Sequence, residues 1–133
     1  MCEDPQLSGA DWWYTLRIPA QTWMISVVRS SLRLALQRHG RPDLADTACL
    51  LATELVTNGV VHAKSPVTVH LSCRSRTLRV DVHDVGSQVP ARRGAGVDDE
   101  SGRGLTLVEG CATAWGVSPA PQGAGKAVWF TLT

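Results

Sequence analysis

The sequence predicts an α+β fold: a largely antiparallel sheet with helices on one face. Strand-like alternation occurs in adjacent pairs joined by short links, as hairpins require. Helical periodicity occurs in consecutive runs rather than between strands, which argues against a βαβ order. No repeat with a period of 20–50 residues is present. At 133 residues the chain is long enough for one domain with a real core. Residues 11–133 are read as that domain, preceded by a polar, flexible segment, 1–10.

The elements follow in order. "WWYTLRIPA" (12–20) is aromatic and β-branched and ends in Pro19, which predicts a first strand. In "QTWMISVVRSSLRLALQRHG" (21–40), Trp23, Val27 and Leu34 recur near helical spacing, and Gly40 is placed to end the helix. "RPD" is a turn with Asp43 as N-cap, and a second helix runs to about Ala63 with Leu44, Ala48, Leu51 and Leu55 as its buried stripe. "SPVTVHLSCRS" and "RTLRVDVHDVG" are alternating strands linked closely at Arg74–Arg76. Residues 85–101 carry Gly, Pro and charge without periodicity; a loop of that length in a small domain is usually functional or mobile. "GRGLTLVEGCA" (102–112) is a short helix, and "TAWGVSP" and "KAVWFTLT" are the final strands.

Composition excludes several classes. Hydrophobic residues make up 44 % and charged residues 19 %, which is globular rather than disordered. The formal net charge of +1 supplies no global field toward nucleic acid or membrane, so neither is expected as a direct partner. No run of eighteen apolar residues predicts a membrane span. The N-terminal stretch lacks the basic start and apolar centre of a signal peptide, which predicts a cytoplasmic protein with reduced thiols. Cys49 and Cys111 fall in apolar helical patterns and are expected in the core. His39, His62, His70 and His83 show no metal-ligand spacing with the cysteines.

Three constellations carry possible chemistry. In "LATELVTNGVVHA" (51–63), Glu54, Asn58 and His62 are spaced by four, and so share one side of an α-helix. Asn58 offers a neutral oxygen to a hard cation such as Mg²⁺, and Glu54, one turn earlier, can act as a general base. The alternative is a solvated helix edge. In "VDVHDVG", Asp84 ends a strand, where it can accept a hydrogen bond from an exocyclic amine, and Gly86 lets backbone approach a ligand. The alternative is an ordinary strand-end turn. In "ESGRGLTLV", Ser101 can cap a helix opening Gly102-Arg103-Gly104, whose free N–H groups and guanidinium suit an anion. A capped linker has the same signature. "GAGKA" (123–127) is no P-loop, because Ala120 and Ala127 stand where Gly and Ser/Thr are required. "GRGLTL" is no dinucleotide fingerprint, because Leu107 stands at the third Gly.

The order of these motifs resembles the GHKL ATPase superfamily, which includes gyrase and histidine kinases. It is most similar to the small anti-sigma-factor serine kinases. "ELVTNGVVHA" matches their N-box, "VHDVG" their first glycine box, "SGRGLTLVEG" the second and "GKAVWF" the closing segment, over about residues 11–133. The resemblance implies a Bergerat-type two-layer α/β sandwich with a mixed, mostly antiparallel sheet. It implies ATP and Mg²⁺ as cofactors, with Asn58 holding Mg²⁺, Glu54 as the base on a partner's serine and Asp84 reading adenine. His62, Gly86, Ser101, Gly102, Arg103, Gly104, Leu105 and Lys126 fall at nucleotide-binding positions, and 86–101 at the ATP lid. Arg29 is the nearest match to an arginine that contacts protein partners. The partners implied are a sigma factor and an anti-sigma-factor antagonist, with homodimerisation as a further expectation. Two positions depart from the pattern: Gln88 stands for a second Gly of the first box, and Ala127 for a Thr that orders water at adenine. They leave open a non-catalytic regulator with weak or absent ATP binding.

Overall fold

The computed structural model describes residues 11–85, 107–119 and 125–133. Five strands form one sheet in the order β1-β2-β3-β5-β4. They are β1 (Trp12–Ile18), β2 (Val67–Arg74), β3 (Thr77–Asp84), β4 (Ala114–Pro119) and β5 (Lys126–Leu132). Every pairing is antiparallel, so the mixed sheet expected from the resemblance is antiparallel throughout the described residues. Two helices, α1 (Ile25–Arg38) and α2 (Ala45–Thr57), pack together on one face. Residues 107–111 add a short helical segment whose Val108 is fully buried.

The core lies between the layers. Leu32 and Leu36 of α1 and Leu51 and Val56 of α2 meet Val67, Val69, Leu71, Leu78, Val80 and Phe130 of the sheet, all essentially inaccessible. Strict alternation along β2 and β3 places every second side chain in this layer. α1 carries apolar residues on two faces. Its buried positions are Val28, Leu32, Ala35 and Leu36, while Trp23 and Leu34 remain 66 % and 63 % exposed and Val27 faces outward with them. Both sets are helically spaced, so periodicity alone does not choose between the two faces.

Local chemistry explains the ends. After α1, Gly40 takes φ +75, with Gly40 N–H donating to Gln37 O (3.2 Å) and Arg41 N–H to Leu36 O (2.8 Å), the Schellman pattern. Asp43 is not the N-cap of α2. It lies in a 3₁₀ turn, Pro42–Leu44, and its carboxylate receives bonds from Arg41 Nε and Nη2, both 3.1 Å. Buried Arg41 also donates Nη1 to Arg76 O at 2.7 Å, holding the β2–β3 turn. That turn has Ser75 at φ 49 and Arg76 at φ 69, the left-handed pair a two-residue hairpin requires, here without glycine.

The cysteine expectation holds in half. Cys49 is buried, but Cys111 is exposed; Cys73 on β2 is the other buried thiol among the described residues. Pro42–Ala63 is long and apolar enough by composition to cross a membrane, but 56 % of its most apolar window is buried in this fold, as a core helix would be. The opposite face of the sheet bears no helix among the described residues. There the Trp129 indole lies so close over Gly116 that a Cβ at 116 would meet it at 2.8 Å. Arg79 stacks on that indole at 4.4 Å and is forked onto Asp81, Nη2 to Oδ1 at 2.9 Å.

Candidate nucleotide site at one end of the sheet

Helix α2 does not end where its α-helical hydrogen bonding ends. Asn58–Ala63 continues as a π-helical turn, closed by Lys64 at φ 53. Such turns are rare and frequent at functional sites. Glu54 and Asn58 still share a face, because the winding between them is α-helical; their Cα atoms are about 6 Å apart along the axis. Both are partly accessible. Beyond Asn58 the winding takes more residues per turn, and His62 falls within this π turn. His62 is exposed there.

The π turn packs on the end of β3. Gly59 makes this possible: a Cβ on it would lie 2.7 Å from Val67 Cγ2 and 3.4 Å from Asp84 Oδ2. Ser65 fastens the same junction. Its N–H donates to Gly59 O (3.4 Å), and its hydroxyl donates to Pro66 O (3.0 Å) and accepts from Val85 N–H (3.2 Å). On the other side Gly125, φ +86, approaches so closely that a Cβ would clash with Asp84 O. Helix and strand backbones thus converge on one residue, Asp84.

Asp84 is 6 % exposed. Lys126 faces it across the β3–β5 pairing, with Nζ 2.9 Å from Oδ1 and 3.0 Å from Oδ2. The ammonium therefore sits astride both oxygens. A buried charge without such a partner would cost several kcal/mol, about 3–5 on loss of one member.

The structure thus brings Asn58, Asp84 and Lys126 to one end of the sheet, with Glu54 one helical turn from Asn58. Arg29 lies apart, exposed on α1. Gly86, Ser101, Gly102, Arg103, Gly104, Leu105 and the 86–101 segment lie outside the described residues. Gly59, Ser65 and Gly125 are site-building residues that sequence reasoning missed. The one signal for Gly59 was a glycine inside a helical pattern, at a cost of about 1 kcal/mol that needs a reason. Among the described residues no group of three or more His, Cys, Asp or Glu is arranged to hold a metal ion.

Against this geometry stands one comparison: the model of the histidine kinase-like ATPase domain family matches residues 18–132. The chain belongs to that family. Its GHKL-type sandwich and its ATP-binding character follow from that membership. A search of curated proteins gives no match. In this family assignment the match runs through α2, the π turn, β3 and β5, the elements that assemble around Asp84.

Proposed function

We propose that this GHKL domain is an Mg-ATP-binding anti-sigma regulatory factor. It binds a sigma factor and phosphorylates an anti-sigma-factor antagonist on serine. The observation that carries the reading is the convergence of Asn58, Gly59, Asp84 and Lys126 at one end of the sheet, with Glu54 a turn away on the same helix face.

The residues fit the cofactors. Gly59 leaves a close approach between the helix backbone and Asp84, and Asp84 supplies an acceptor for an exocyclic amine of adenine. Asn58 offers a single amide oxygen, in keeping with Mg²⁺, which takes most of its ligands from phosphate and water. When bound, Mg²⁺ would neutralise phosphate charge. Glu54 would receive the proton of the antagonist's serine hydroxyl as its oxygen attacks the γ-phosphorus and ADP leaves. Little covalent chemistry is asked of the protein; position and one base suffice.

The partner-facing side of the proposal is α1. Trp23, Val27 and Leu34 form an exposed apolar stripe there, and Arg29 is exposed on the same helix. A groove of about 390 Å³ lies beside it, lined by Tyr14, Leu16, Ser31, Leu34 and Arg38. β1 is an edge strand next to this groove, a surface suited to a protein partner or a second copy. Action in the cytoplasm, without nucleic acid or membrane contact, completes the proposal.

A second reading, a non-catalytic regulator, is favoured by the Lys126–Asp84 pair, which engages the carboxylate meant for adenine. Glu54→Gln separates the two. The variant should bind Mg-ATP and partner as the wild type does, yet transfer phosphate about a hundredfold more slowly, the usual scale for a positioned base. If wild type and variant bind the partner and neither phosphorylates it, the kinase reading fails.

A further inference from the structure

We infer that Lys126 sets the base selectivity of this site and admits 6-oxopurine triphosphates alongside ATP. This rests on the reading above, in which Asp84 is the base-reading carboxylate.

A lone carboxylate is acceptor-only, and so favours a base that presents an exocyclic amine. Asp84 is not alone. Lys126 Nζ straddles its two oxygens at 2.9 and 3.0 Å. A base edge that reaches Asp84 meets the ammonium at the same point, and an ammonium has three donors and no acceptor. Adenine presents its 6-amino donor there, so donor faces donor until the ion pair opens. Hypoxanthine and guanine present O6, an acceptor, with N1–H beside it. O6 can take a bond from Nζ while N1–H gives one to the carboxylate, which has about four acceptor positions.

The lysine is built in rather than draped over the site. It opens β5 in register with Asp84, and its side chain is 15 % exposed. Gly125 immediately before it is packed on the Asp84 carbonyl, where no Cβ fits. Gly59 lies against the carboxylate itself, where an added Cβ would be 3.4 Å from Oδ2. The ammonium and the carboxylate are therefore presented as one donor–acceptor pair, fixed by backbone on both sides.

Titration calorimetry of the full chain in Mg²⁺ with ATP and with inosine triphosphate tests this, since the two differ at position 6 and N1. The wild type should bind both with dissociation constants within fivefold of each other. Lys126→Thr should move the ratio at least tenfold toward ATP, and Lys126→Arg, which keeps a charged donor, should leave it near parity. A wild-type preference for ATP beyond fivefold overturns the inference, as does a Lys126→Thr ratio equal to that of wild type. If Lys126→Thr does not fold, the wild-type ratio decides alone. Binding of ATP only sinks this inference and spares the ATP-binding reading; binding of neither triphosphate sinks both.

Discussion

Gly59→Ala tests the idea that a glycine was required to bring the π turn onto Asp84. The added methyl would lie 2.7 Å from Val67 Cγ2, closer than real Cβ atoms come, and 3.4 Å from the Asp84 carboxylate. Val67 is fully buried in the core, so its methyl has nowhere to go. Overpacking of this kind costs about 1–3 kcal/mol. Replacing Gly by Ala inside a helix returns about 1 kcal/mol. The net expectation is a loss of about 1 kcal/mol. With a urea m-value near 2 kcal/mol/M, the unfolding midpoint should fall by about 0.5 M. Gly110→Ala is the control: the residue is helical, and nothing lies within 4 Å of its Cβ position, so that variant should be no less stable than wild type. Adding Val67→Ala to Gly59→Ala should relieve the clash, giving a double mutant more stable than the sum of the singles. A Gly59→Ala protein with an unchanged or higher midpoint would show that Gly59 is not needed for the close approach, and would refute the reasoning.

Other perturbations follow from the same physics. Ser75→Asn with Arg76→Gly should stabilise the β2–β3 turn by about 1 kcal/mol, because both residues now hold positive φ without glycine; urea unfolding reads it. Burial pushes the Cys49 and Cys73 thiols up from their ordinary value, and Cys111 is exposed. Alkylation of the native protein followed by mass spectrometry should therefore find Cys111 modified well before Cys49 or Cys73. The Arg41 guanidinium holds the Asp43 carboxyl below its ordinary range. A depressed carboxyl pKa stabilises the fold above the unfolded value and loses that effect as pH falls through the folded one. Asp43→Asn should therefore flatten the acid limb of the stability profile and leave its alkaline limb unchanged.

The layers were legible because burial leaves a period. Alternation along β2 and β3 and the Leu51–Leu55 stripe of α2 specify element and face together. α1 was legible only as a helix. Trp23, Val27 and Leu34 share a face as regular as that of Val28, Leu32 and Leu36, and what separates them is which side meets the sheet. The cap at Asp43 was misread because buried Arg41 competes for the same carboxylate, a contact set by the fold and not by neighbours in sequence. At the site, Asn58 and Asp84 stood out by residue type and by resemblance. Lys126 was marked by resemblance alone, and its pairing with Asp84 was not legible, since their sequence separation of 42 is bridged only by strand pairing. The π turn was invisible for a related reason: "NGVVHA" satisfies an α-helical pattern, and the extra residue in the winding is a response to packing.

The strand order β1-β2-β3-β5-β4 also dictates a sequence of events in time. β4 leaves the ribosome before β5, its one strand neighbour among the described residues, and β5 pairs on its other side with β3. The hairpin of β2 and β3 is local and can form early, whereas β1 reaches the edge of β2 only across a long stretch of chain. Joining β5 to β3 is likewise a pairing of long loop closure, the slow kind. Lys126 is the first residue of that inserted strand. Pairing of β5 with β3 and completion of the Asp84 ion pair are thus one event, and a nascent chain gains this buried charge pair only when its last strand is in place.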